Sequence, residues 1–265
     1  MIKLVASDLD GTLLNEASEL TPATKSTIAA LKRRGIHFAI ASGRSRVSAI
    51  KFQEELGVPM YLICNNGANI YDESGAAIYL APMSPRIVGL VTRFLSARGV
   101  NYNGFDDKNL YIESRARGAI VSLEKAYFDL RAIDELAEFP AMTKLLAKGE
   151  EHEIRKAKEE LTREAFAGEL DITISHPRCL DVVDRKATKE NGIRLIAENL
   201  GIAMSEVMAF GDADNDLGML LAAGHPVAMG GSMLHQCGRF EHIAASHRED
   251  GVARYLREFF QLEER

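Results

Sequence analysis

Two groups of acidic residues, one near each end of the chain, carry the chemistry this sequence can offer. Asp8 and Asp10 stand i, i+2 in Asp8-Leu9-Asp10-Gly11-Thr12, directly after the apolar run Ile2–Ala6. Asp212, Asp214 and Asp216, with Asn215 among them, follow the apolar run Val207–Phe210 and Gly211. Both runs have the short, β-rich character of a strand buried on both faces. Carboxylates at the end of such a strand are costly to desolvate unless a cation neutralises them. In a parallel α/β sheet the carboxyl end of the strands is also where ligands bind. Brought to one sheet edge, the two groups call for a hard divalent cation, and oxygen-only ligands favour Mg2+.

Asp212, Asp214 and Asp216 also fit the first three ligand positions of an EF-hand loop. That reading fails twice, because Leu217 stands where the loop needs glycine and Ala223 where it needs a bidentate Glu. Two further segments suit an anion. The strand-like run His37–Ala41 ends in Ser42-Gly43-Arg44, where a hydroxyl, a glycine amide and a helix N-terminus come together. Lys189 opens a helix, where a cation opposes the helix dipole, and the locally unfavourable placement points to an anionic partner.

The elements that must position these residues alternate along the chain. Ile2–Ala6, His37–Ala41 and Met60–Cys64 read as strands, with helices over Thr21–Arg34 and Val47–Leu56 between them. Ile70-Tyr71 and Ile78-Tyr79 flank Asp72-Glu73-Ser74-Gly75 as a hairpin. From Arg86 to Asp184 the texture changes to helices (Ile87–Ala97, Ala119–Phe128, Glu150–Arg163) separated by short alternating segments: Tyr102–Phe105, Leu110–Glu113, Thr143–Ala147, Ile172–Ser175 and Leu180–Val183. The alternation then resumes with a helix at Lys189–Leu200, a strand at Val207–Phe210, a helix at Asp214–Ala223, a strand at Pro226–Met229 and a last helix at Val252–Phe260. The pattern predicts an α/β fold: a doubly wound, Rossmann-like parallel sheet core, residues 1–84 and 185–265, carrying an inserted α+β domain, 85–184.

Composition bounds the function. With 265 residues, 46% hydrophobic and 26% charged, the chain can bury a sizeable core. A net charge of −6 without a basic tract argues against nucleic acid as a partner. Cys64, Cys179 and Cys237 are three and far apart, so they point to reduced core residues rather than a disulfide or zinc framework. No stretch is long enough to span a membrane, and the N-terminal apolar run stops at Asp8, so a cytoplasmic protein, a monomer or weak homodimer, is expected. The seven histidines show no ligand spacing.

Asp8-Leu9-Asp10-Gly11-Thr12, Ser42-Gly43-Arg44, Lys189 and Gly211-Asp212-x-x-Asn215-Asp216 match, in order, the four motifs of the haloacid dehalogenase-like superfamily. The insertion between the second and third motifs resembles the C2-type cap of its Cof-type subgroup. Cys64-Asn65-Asn66-Gly67-Ala68, Leu217-Gly218-Met219-Leu220 and Glu249-Asp250-Gly251-Val252-Ala253 fit as well. Lys186 competes with Lys189 for the third motif, and Lys189 is better placed because its helix follows directly.

The resemblance implies a phosphatase acting on a small phosphorylated substrate. Asp8 attacks phosphorus and forms an aspartyl-phosphate. Asp8, the Asp10 main-chain carbonyl and Asp212 hold Mg2+, with Asp216 acting chiefly through water on the ion. Asp10 serves as general acid and then general base, which requires its carboxyl pKa to be raised. Ser42, the Gly43 and Leu9 amides, Lys189 and Asn215 bind phosphoryl oxygens. Sugar phosphates are the expected substrates. A phosphotransferase or phosphomutase sharing the intermediate, and a non-catalytic sensor, are the alternatives. Thr12 fits a structural role as well as a functional one, and the polar cap residues Asp106, Asp107, Asn109, Tyr111, Arg115 and Arg117 carry no clear code: they could face a sugar, but most are expected on a solvated surface.

Overall fold

The protein is described here by a computed structural model over residues 1–106, 108–112 and 129–262. The chain begins with β1 (Leu4–Ser7), α1 (Pro22–Arg33), β2 (His37–Ala41), α2 (Arg46–Leu56) and β3 (Tyr61–Cys64), followed by the hairpin β4 (Asn69–Tyr71) and β5 (Ala77–Leu80). Thr21 caps α1 by accepting the Thr24 N–H, Pro22 takes the first helical position, and Gly35 leaves the helix at φ +74°.

The middle of the chain forms α3 (Pro85–Ala97), β6 (Asn101–Phe105), β7 (Asn109–Ile112), β8 (Asp129–Ala132), β9 (Lys144–Lys148), α4 (Glu151–Leu161), β10 (Leu170–His176) and β11 (Cys179–Asp184). The chain closes with α5 (Lys189–Leu200), β12 (Val207–Gly211), α6 (Leu217–Ala222), β13 (His225–Met229), α7 (Met233–Gln236), β14 (His242–Ala244) and α8 (Gly251–Phe260).

Eight strands make one sheet in the order β14-β13-β12-β1-β2-β3-β4-β5. Its strands are parallel from β14 through β3, and the hairpin β4–β5 adds an antiparallel edge. β1 sits between β12 and β2, so its residues face apolar neighbours on both sides. Val5, Phe38, Ile40, Leu62, Met208 and Phe210 point to the face covered by Ile28 and Leu31 of α1, Phe52 of α2 and Leu256 of α8. Leu4, Ala6, Ala39, Ala41, Ile63, Val207 and Ala209 point to the other, under Ile193 and Ile196 of α5 and Met219 and Leu220 of α6. The period-2 alternation of each strand thus feeds two cores, each buried side chain contributing roughly 1.5–3 kcal/mol for the larger aliphatics.

The second sheet runs β10-β11-β9-β6-β7-β8, antiparallel except for the β7–β8 pair. One face packs under α3 and α4 through Ile87, Val91, Leu95, Ile154 and Leu161, which meet Leu145, Ala147, Leu180 and Val182. By the same alternation Lys144, Leu146, Asp181 and Val183 lie on the opposite face. The expected helix Ala119–Phe128, together with Asp107, Arg115 and Arg117, lies outside the described residues. β8 and β14 were not anticipated, and α6 begins at Leu217 rather than Asp214, because Asp214–Asp216 forms a tighter single turn. Cys64 is buried as expected, whereas Cys237 is exposed. Among the described residues, no helix is long and apolar enough to cross a membrane.

Candidate active site

The neighbouring strands β12, β1 and β2 all end at one edge of the large sheet; Asp212–Asp216, Asp8–Asp10 and Ser42–Gly43 lie just beyond those ends, and Lys189 reaches them from the start of α5. The Asp8 N–H donates to the Phe210 carbonyl at 3.1 Å, which fixes the first acidic group beside the second. Leu9–Leu13 then makes a kinked loop in which Asp10 is extended (φ −82°, ψ 116°) and Gly11 sits at φ +83°. A Cβ on Gly11 would lie 2.5 Å from Asp212 Oδ2, so both the backbone angle and the close approach of a carboxylate require glycine here. Thr12 Oγ1 donates to Asp212 Oδ1 at 2.9 Å, which makes Thr12 a support for the acidic cluster.

Lys189 settles the competition with Lys186, which is exposed. The Lys189 side chain is wholly buried, and its Nζ donates to Asp8 Oδ1 and to Asp216 Oδ1, each at 2.6 Å. Its anionic partner is therefore inside the protein: the cation at the start of α5 neutralises the two buried carboxylates. Burial pulls its pKa down, but Asp216 and Asp8 more than compensate, and the ammonium is held above the ordinary lysine range.

The carboxylates show the converse. Burial pushes Asp8 well above the usual range against the lowering by Lys189, and Asp216, Asp212 and Asp10 push it further. Asp212 is pushed up to about 6, by burial first and by Asp216 next, with the Thr12 hydroxyl opposing. Both oxygens of Asp216 are engaged: Oδ1 takes Lys189, while Oδ2 accepts the N–H groups of Asp212 (3.0 Å) and Ala213 (3.1 Å). These bonds pin the loop and orient the lysine. A Cβ on Gly211 would collide with Asp216 Cβ, so that glycine makes room for it.

One carboxylate oxygen from each of Asp8, Asp212 and Asp216 falls within 4.8 Å of the others. The residues fit a hard divalent cation: the donors are all oxygen, and burial, with the neighbouring carboxylates adding to it, raises Asp8 and Asp212 in the absence of a further positive charge. Asp8 Oδ2 and Asp212 Oδ2 are the carboxylate oxygens not already taken by the bonds just described.

The phosphate-binding candidates lie beside this cluster. Ser42 is buried, and its Oγ accepts the Arg44 N–H at 3.1 Å while keeping its own proton to donate. Asn215 Nδ2 donates to Asn66 Oδ1 at 3.0 Å, so the second acidic loop reaches the end of β3. Asn66, overlooked as a site residue in the sequence, is buried with φ +58°, beside Asn65 at φ +49°. Consecutive left-handed residues are a backbone cost that asparagine tolerates best.

Asp10 is placed differently from its expected companion. Its carboxylate is half-exposed and gripped by Arg44 through Nε (2.7 Å) and Nη2 (2.5 Å). Arg44 lay in the second motif but carried no role in the sequence; its partner is 34 positions away, and only the fold brings the two together. Above the edge, Lys158 of α4 reaches Asp214 at 3.2 Å. Asp106, Asn109 and Tyr111 form a local knot, with Tyr111 Oη donating to Asp106 at 2.7 Å.

The α/β fold with an acidic cluster at the carboxyl edge of its parallel sheet is one that a class of hydrolases shares. The chain belongs to the haloacid dehalogenase-like hydrolases, whose family pattern it matches over residues 5–256. It is 31% identical to a Haemophilus influenzae protein described provisionally as a phosphatase, covering 98% of this chain and 99% of that one. It is 29% identical to the HMP-PP phosphatase of Serratia proteamaculans, over 88% and 85% of the two chains. In fold it superposes on the HAD subclass IIB sugar phosphatase BT4131 with a TM-score of 0.82, at 22% identity over 97% and 99% of the two chains. The protein is a phosphatase of this superfamily.

Proposed function

We propose that the protein is a Mg2+-dependent phosphomonoester hydrolase of small phosphometabolites, sugar phosphates foremost, working through an aspartyl-phosphate on Asp8. The observation that carries the reading is the buried Lys189 ammonium on Asp8 Oδ1, which holds and orients that carboxylate at the sheet edge, where a nucleophile is needed. Residues 1–84 and 185–265 serve as the catalytic core and 85–184 as its cap.

Asp8, the Asp10 main-chain carbonyl and Asp212 would hold Mg2+, with Asp216 behind them. When bound, the ion supplies positive charge that offsets repulsion between the carboxylates and phosphoryl oxygens. Ser42, the Gly43 and Leu9 amides, Lys189 and Asn215 orient the phosphoryl group. Asp10 delivers a proton to the leaving alcohol and later takes one from water, and to do so its carboxylate must leave Arg44. The cap excludes bulk water.

The names of the relatives point to two substrate classes, sugar phosphates and HMP-PP, and sugar phosphates are proposed foremost. A panel of sugar phosphates, HMP-PP and an aryl phosphate, assayed for phosphate release with Mg2+, tests the reading. Release by the wild type and none by Asp8→Asn is expected. Hydrolysis surviving in Asp8→Asn overturns the assignment of the nucleophile.

A further inference from the structure

The face of the second sheet turned away from α3 and α4 carries a buried ion pair. Lys144 on β9 and Asp181 on β11 are same-face diagonal neighbours, since Leu146 pairs with Asp181 and Leu145 with Val182. Lys144 Nζ lies 2.9 Å from Asp181 Oδ2, and both residues are buried. A buried pair of this kind is a poor source of stability compared with apolar residues of the same volume. Leu145, Ala147, Leu180 and Val182 already fill the helix-covered face, so the pair calls for a different account.

Its hydrogen bonds run across the junction between the two sheets. Lys144 Nζ donates to the Gly43 carbonyl at 2.9 Å. The same peptide unit carries the Arg44 N–H, which donates to Ser42 Oγ at 3.1 Å. On the other side, Asp181 Oδ2 accepts from Asn66 Nδ2 at 2.8 Å, and Asn66 Oδ1 accepts from Asn215 Nδ2 at 3.0 Å. One continuous chain therefore links Ser42 to Asn215 through two residues of the second sheet. The fit is tight: a Cβ on Gly43 would stand 3.1 Å from Asn66 Oδ1 and 3.2 Å from Asp181 Oδ2. Asn66 holds a left-handed backbone at the middle of this chain, a cost that persists only where the surroundings over-determine it.

We infer that Lys144 and Asp181 are positioning residues: the pair fixes the Gly43–Arg44 peptide and the Asn66 carboxamide, and through them aligns Ser42 and Asn215 on the phosphoryl group. The phosphate site is then complete only when the second sheet is seated on the first. The inference rests on the phosphomonoesterase reading given above. Misplacing a phosphoryl ligand by an ångström costs on the order of 100-fold in rate, whereas the pair itself touches no reacting atom.

The test is steady-state hydrolysis of an aryl phosphate with Mg2+, with inorganic phosphate as competitive inhibitor and thermal unfolding as the folding control. Lys144→Met should lower kcat/KM by roughly 30- to 100-fold and weaken phosphate inhibition by about 10-fold. Lys144→Arg, which restores a donor, should recover most of both. Lys144→Met combined with Asp181→Asn should cost no more than Lys144→Met alone, because the two act as a unit. Should Lys144→Met fail to fold, Asp181→Asn keeps an acceptor for Asn66 while loosening Lys144, and a fall in both quantities is again expected. Variants with wild-type phosphate inhibition, losing only the fraction of active enzyme, would overturn the inference and leave the phosphatase reading intact. A wild type that leaves the aryl phosphate untouched overturns both.

Discussion

Lys189 Nζ lies 2.6 Å from Asp8 Oδ1, and both groups are shut away from solvent. With Asp216 on the same ammonium, the arrangement places one buried cation among three carboxylates. Removing the cation leaves like charges buried and unpaired, which typically costs 3–5 kcal/mol, or roughly that range for a single buried partner. Lys189→Met should therefore destabilise the metal-free protein by about that amount in urea unfolding and abolish hydrolysis. Unchanged stability would mean that the carboxylates are already protonated in the native state.

The grip of Arg44 on Asp10 gives a leaving-group prediction. An acid that protonates the departing alcohol matters most when that alcohol is a poor leaving group. Asp10→Asn should slow hydrolysis of an alkyl phosphate by roughly 100- to 10,000-fold and of an aryl phosphate markedly less. Rates measured across a series of leaving groups check this, and an equal loss for all of them would remove Asp10 from proton transfer.

Gly11 gives a steric prediction. At φ +83° a side chain is strained, and its Cβ would press on Asp212 Oδ2 at 2.5 Å. Gly11→Ala should weaken Mg2+ activation by at least about tenfold, because the Asp212 carboxylate proposed to hold the ion must move. A titration of activity against Mg2+ reads this directly, and an unchanged half-saturation would place the ion elsewhere.

Acidity gives the fourth. Asp212 is raised to about 6, so between the ordinary Asp range and that value the folded state holds more protons than the unfolded one. The contribution of Asp212 to the stability of the metal-free protein is then fully present below the unfolded pKa and is lost as pH rises through about 6. Mg2+ must displace the proton, so its stabilisation should be large at pH 7.5 and small at pH 5, in roughly the manner of any proton-linked metal site. Thermal unfolding with and without Mg2+ at the two values measures it; equal shifts at both would contradict the linkage.

How much of this was legible in the sequence follows from the range of each signal. Local signals held up: His37–Ala41 and Lys189–Leu200 form the strand and helix their patterns predict, and Thr21-Pro22 starts α1 through its cap. The acidic clusters were legible because carboxylates at a buried strand end are anomalous by themselves. What escaped depends on distance across the fold. The orientation of Asp10 toward Arg44 is a side-chain choice that no spacing encodes. Asp181 sits in Leu180-Asp181-Val182-Val183, where a charge inside an apolar strand was the available hint, but its partner on β9 emerges only from strand pairing. β8 (Asp129–Ala132) was missed because three of its four residues are exposed and give no apolar alternation.

The central claim is that Asp8 is phosphorylated in turnover. Acid quench of the enzyme during steady-state hydrolysis, followed by borohydride reduction and peptide mass spectrometry, tests it most directly. An acyl phosphate on Asp8 is reduced to homoserine, so the account predicts homoserine at position 8 only when substrate and Mg2+ are both present. Reduction at no position, with turnover proceeding normally, would contradict it and point to direct attack of water on phosphorus.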